Sequence, residues 1–172
     1  WDDQLPLRPD RQHVIDDVQY AEHRERPLRH QPRRHELRRI RRRLGTHRPH
    51  TQHEREVLAG PAMAARLRLV DSDPADTVRV GITSRGTPID IFQPVVESDI
   101  RIVLGNVEPH YFAGFSGGLK AIVPGVCSVE TIRFNHAWLV DPQARAGALE
   151  NNPVRQDLEE GASFLGVHFM LN

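Results

Sequence analysis

A chain of 172 residues, 38% hydrophobic and 27% charged, is long enough for one domain with its own core. No apolar run approaches the roughly 20 residues that span a bilayer, the opening Trp1-Asp2-Asp3-Gln4 is no secretory leader, and the single cysteine, Cys127, excludes an internal disulfide. These features exclude a membrane partner and point to a cytoplasmic protein. The formal net charge of +0 hides an asymmetry, because residues 1–43 carry 12 arginines against 8 acids and the rest of the chain carries the opposite excess.

Residues 1–43 are rich in Arg, His, Pro and Gln and poor in apolar residues. Leu37, Ile40 and Leu44 fall at helical spacing, which allows a basic amphipathic helix. The arginines at 33–34, 38–39 and 41–42 argue against a buried strand, since they cannot all be desolvated without partners. From residue 44 the pattern becomes that of an α/β domain. Thr51-Gln52-His53-Glu54 reads as a capping box opening a short helix that Gly60-Pro61 stops. Strands are predicted over 66–70, 77–82, 89–92 and 100–104, followed by a Gly/Pro-punctuated loop over 106–125. Ser128 caps a helix from Val129 to about Val140. Asn152-Pro153 opens another, whose apolar face is Val154, Leu158, Ala162 and Leu165. Gly166 then releases the chain into a strand over 167–171 that needs a partner. Alternating strand and helix signals imply an α/β fold with a Rossmann-like parallel sheet and flanking helices.

Lys120 is the only lysine among 23 cationic side chains, all the others being arginine. An amine can lose its proton and form a covalent bond, which a guanidinium cannot do. It closes the run His110-Tyr111-Phe112-Ala113-Gly114-Phe115-Ser116-Gly117-Gly118-Leu119-Lys120. Gly45-Thr46-His47-Arg48-Pro49 lies upstream and Asn135-His136 downstream. Together with Pro124-Gly125, the stretch from Ser128 to Ile132, and Asn151-Asn152-Pro153, these motifs resemble the N-terminal domain of the nickel-dependent lactate racemase family (LarA-like) over residues 44–172.

The resemblance implies a cofactor, a nickel-pincer nucleotide, in which a pyridinium mononucleotide with thiocarboxyl groups is tethered to Lys120. It implies His136 as the protein ligand of the nickel, and imidazole with soft sulfur donors suits square-planar Ni(II). His47 and His110 would flank a small 2-hydroxy acid, lactate by default. One takes the hydroxyl proton as hydride leaves the carbon, and the other returns a proton on the opposite face. Ser116, Gly117 and Gly118 would present N–H groups to the cofactor phosphate. Cofactor-making enzymes are the implied transient partners. Taken singly, His50 and His53 read as solvated, His168 as a packing residue, and Cys127 as a small buried filler.

Two other readings use different chemistry. Gly114-Phe115-Ser116-Gly117-Gly118 satisfies the nucleophile elbow of serine hydrolases, with Asp141 and His168 following in order. It leaves Lys120 and His136 without a role. The arginine-rich segment could be an arm that binds nucleic acid, although its acids dilute the field. The family's upstream Asp-x-Thr-Arg-Pro element is not found, and where an apolar strand should precede Gly45 the chain is dense in arginine. Residues 1–43 therefore read as a frame-shifted or disordered segment. The family's closing C-terminal domain is likewise not found, so 44–172 reads as a partial domain, a fragment lacking part of its substrate pocket.

Overall fold

The computed structural model describes residues 39–42 and 48–172. The expectations for the remaining N-terminal residues, including the segment's disorder and the role of His47, lie outside these.

β1 (Arg39–Arg42) pairs in parallel with β2 (Arg68–Asp71), in register from Arg39 opposite Arg68 to Arg42 opposite Asp71. This corrects the helical expectation for these four residues. The spacing of Leu37, Ile40 and Leu44 is a local signal, and pairing with a strand distant in sequence overrides it. Between the two lie α1 (Gln52–Ala59) and α2 (Pro61–Ala64). The capping box is present: Glu54 N donates to Thr51 Oγ1 at 3.2 Å and Thr51 N to Glu54 Oε2 at 2.8 Å. Gly60, at φ +76°, ends α1 where a side chain would be strained.

β3 (Thr77–Ile82) and β4 (Pro88–Phe92) form an antiparallel hairpin with an irregularity between Arg79 and Gly81. Every residue of β4 is buried, and α3 (Gln93–Val96) leads away from it. β5 (Ile102–Leu104) pairs in parallel with β8 (Phe169–Leu171), so the last strand finds its partner. Within the expected loop, β6 (Pro109–His110) and β7 (Gly114–Phe115) make a short antiparallel ladder, and Gly118–Ala121 forms a 3₁₀ turn. α4 (Val129–Ala137) continues into a 3₁₀ turn over Trp138–Val140. α5 (Pro153–Ser163) buries Val154, Leu158 and Ala162, as its spacing predicts. Ser128 and Asn152 cap α4 and α5 by accepting from Thr131 N and Arg155 N. The architecture is α/β, with the strands of the described residues in four two-stranded ladders, two of them parallel.

The core joins β4, β5, the 121–127 segment, α4 and α5 through side chains such as Ile89, Ile91, Val103, Ile122 and Leu158. Cys127 is buried within it, with Sγ 3.2 Å from Ile122 O, and burial pushes its thiol pKa well up. No described helix is long and apolar enough to cross a membrane.

Asp90 pins the start of α4 to β4. Its carboxylate takes Arg79 Nε at 2.7 Å and Ser128 Oγ at 3.2 Å, while its backbone carbonyl accepts from Ser128 N. The Arg79 hydrogen bond and charge, with help from Ser128, hold the Asp90 pKa below its usual value in spite of burial. A carboxyl depressed in the folded state stabilises above its unfolded pKa and loses that contribution as pH falls through the folded one. Below about pH 4, the melting temperature of the parent should therefore converge on that of Asp90→Asn. Parallel curves through that range would refute the assignment.

Candidate functional site

The run from His110 to Lys120 is bent into the core by its glycines. Gly114, at φ +78°, lies so close to Ala148 O that any Cβ would collide with it. Gly117, at φ +71°, faces Asn106 O, which a Cβ would approach to 2.9 Å. These close approaches give the glycines a job beyond tight turning. Lys120 follows on the 3₁₀ turn and is only 3% exposed. Its neighbours Ala121 and Ile122 belong to the same core cluster as Phe112 and Ile132.

His110 and His136 come together through one aromatic ring. Phe112 makes an edge contact with each imidazole, at 4.6 Å centroid separation from His110 and 4.9 Å from His136. Tyr111 stacks on the same His110 ring at 4.8 Å. His110 Nδ1 accepts from Ala113 N at 3.2 Å, which assigns the hydrogen of the neutral ring to Nε2. Phe112 itself is buried, and Asn152 Nδ2 donates to its carbonyl at 2.9 Å. The run, α4 and the start of α5 are thereby joined.

Asn135, beside His136, sits in a polar network that sequence reasoning missed. Asp157 is fully buried and accepts from Thr83 Oγ1 at 2.6 Å, Thr87 Oγ1 at 2.8 Å and Asn135 Nδ2 at 2.8 Å. Asn135 Nδ2 also reaches Val154 O at 3.1 Å. One carboxylate thus ties the turn of the β3–β4 hairpin, α5 and the helix carrying His136. A signal was available: Asp157 falls at the i+3 position from Val154, on the apolar face of α5.

Other candidates find separate places. The Ser116 hydroxyl donates to Asn106 O at 2.7 Å and accepts from Glu108 N at 2.9 Å. Asp141 caps a local turn through Gln143 N, and His168 Nδ1 accepts from Arg101 N. The three residues of the hydrolase reading are hydrogen-bonded to different partners. His168 is exposed and precedes β8, which corrects its reading as a packing residue, and His53 is exposed as expected. His50 is corrected too. It is half-buried, with Nδ1 3.0 Å from Asp71 Oδ1 and its backbone N–H donating to Asp71 Oδ2. Arg55 Nη2 shares that carboxylate at 3.0 Å. Arg48, the described neighbour of His47, forms an exposed two-pronged pair with Glu54 at 2.7 and 2.9 Å. The Ser116 N–H donates to Glu108 O and the Gly118 N–H to Asn172 Oδ1, so both are engaged within the protein.

Among the described residues, no group of three or more His, Cys, Asp or Glu side chains could hold a metal ion. His136 could give a metal one imidazole donor, and the amine of Lys120 could hold a cofactor covalently.

Comparison with known proteins identifies the family of this fold. The lactate racemase N-terminal domain family (Lar_N) matches residues 35–147, beginning inside the arginine-rich segment. Lactate racemase from Thermoanaerobacterium thermosaccharolyticum is 36% identical over 133 residues, and lactate racemase from Lactiplantibacillus plantarum 33% identical over 133 residues. Each alignment covers 74% of this chain and 31% of the relative, so the chain spans about a third of the length of these proteins. The structure of the T. thermosaccharolyticum lactate racemase apoprotein superposes with a TM-score of 0.70 at 35% identity, over 73% of this chain and 31% of that one. A Thermotoga maritima protein shares the fold, with a TM-score of 0.64 at 24% identity over 77% of this chain and 37% of that one. The chain belongs to the lactate racemase family, matching it through the N-terminal domain.

Proposed function

We propose that this chain supplies the cofactor-attachment half of a 2-hydroxy-acid racemase or epimerase, with lactate the default substrate. The observation that carries the reading is the placement of His110, Lys120 and His136 within one family match, around one core, with both imidazoles against Phe112. Lys120 would hold the nickel-pincer nucleotide covalently, and His136 would give the nickel its imidazole donor. Ser116, Gly117 and Gly118 would form the wall that the nucleotide approaches. When bound, that group supplies the hydride acceptor and donor.

The chain's own residues then handle the protons. His110 carries its neutral hydrogen on Nε2, as a donor toward an oxygen of a hydroxy or keto acid. To act as a base at Nε2, the ring must release the Ala113 contact and carry its hydrogen on Nδ1 instead. His47 is assigned the opposite face, because racemisation needs a proton carrier on each side of a planar keto acid. The substrate carboxylate and the closure over it would fall to parts of the relatives' architecture outside the aligned 31%.

Co-expression with the cofactor-making enzymes tests the attachment. The intact mass of the parent should rise by that of the tethered nucleotide, and Lys120→Arg should show no adduct. Nickel retained equally by Lys120→Ala and the parent would sink the proposal.

A further inference from the structure

The 3₁₀ turn that carries Lys120 is capped from a distant part of the chain. Gly117 precedes it and has no side chain to offer, so no local group caps it. The cap comes from Asn172, whose Oδ1 accepts from Gly118 N at 2.8 Å. That oxygen lies in a pocket walled by glycine. A Cβ on Gly105 would stand 3.0 Å from it, and one on Gly117 3.1 Å. The parallel pairing of β5 and β8 puts Asn172 there, since Gly105 N donates to Leu171 O at 2.9 Å just as both strands end. Gly117 O in turn accepts from Lys120 N at 3.3 Å. Arg155 braces the other side, with Nη1 donating to Phe115 O. A short chain of contacts therefore runs from the Asn172 carboxamide to the Lys120 backbone.

We propose that Asn172 is a positioning residue for Lys120: its carboxamide oxygen holds the 117–120 turn in the conformation that keeps the amine buried and aimed for cofactor attachment. This rests on the reading of Lys120 as the attachment point. It also restricts the glycine wall, because an anion can use the Gly118 N–H only by displacing Asn172.

The single lysine makes the test specific. Acetylation of the unloaded chain by a water-soluble N-hydroxysuccinimide ester can modify Lys120 and the α-amine, which peptide mass mapping separates. Loss of one net hydrogen bond should raise the Lys120 labelling rate in Asn172→Ala by about tenfold. Asn172→Asp keeps the acceptor and should stay close to the parent rate. Both variants should still unfold cooperatively, the Asn172→Ala midpoint falling by no more than the loss of one hydrogen bond, and amide exchange at Gly118 should accelerate in Asn172→Ala alone. Labelling of Asn172→Ala at the parent rate, or of Asn172→Asp as fast as Asn172→Ala, would overturn the proposal. If Asn172→Ala does not fold, the Gly118 amide of the parent decides: slow exchange supports the cap, and exchange at the rate of an exposed amide refutes it. Labelling is read without the cofactor, so failure of the attachment reading appears separately, as a missing adduct on co-expression.

Discussion

Asp157→Ala should cost this domain about 2–4 kcal/mol, a large part of the 5–15 kcal/mol typical of a folded domain. The side chain is fully buried and accepts hydrogen bonds from three side chains, two in the β3–β4 turn and one on α4. Truncation leaves the Thr83 and Thr87 hydroxyls and one bond of the Asn135 amide to be satisfied elsewhere, where water has little access. Asp157→Asn should be much milder. Thr83 Oγ1 already accepts from Thr87 N and has a second lone pair, so it can accept from a new amide at the Oδ1 position. The remaining carbonyl oxygen still serves Thr87 and Asn135. Urea unfolding followed by circular dichroism would measure both. An Asp157→Ala midpoint near that of Asp157→Asn would mean that the network is not what joins these elements.

That network marks the boundary of what sequence could show. The caps at Thr51, Ser128 and Asn152 were legible because each is a contact between residues three apart. The buried face of α5 was legible through its period. The run ending in Lys120 stood out because its residues are contiguous. What escaped depends on partners far along the chain. Arg39–Arg42 becomes a strand because β2 lies beside it, and His50 is drawn in by Asp71 rather than left to solvent. The period puts Asp157 on the apolar face of α5, but its three donors, brought from positions 83, 87 and 135, are visible only in the fold. The hydroxyl of Ser116 matches a nucleophile motif by spacing alone, while the fold engages it with two backbone groups.

Replacing the two histidines that meet at Phe112 should separate two functions. If His136 is the protein's donor to the nickel, His136→Ala should keep the adduct on Lys120 but lower nickel per adduct by at least about tenfold, since an imidazole donor to the metal would be lost. His110→Ala should leave both adduct and nickel unchanged. Its ring is held by Ala113 N, by stacking on Tyr111 and by an edge contact with Phe112, and its proposed role is proton transfer, worth about 10²–10⁴-fold in rate where it operates. Both rings touch Phe112, so a general collapse of the site would lower nickel in the two variants alike. A difference confined to His136→Ala is what a metal ligand produces and a packing residue does not. Intact mass and metal analysis on the same preparations read the two quantities independently. Equal nickel loss in both variants would remove the division of labour between ligand and proton carrier. Retention of nickel in both would move the ligand to a residue other than His136.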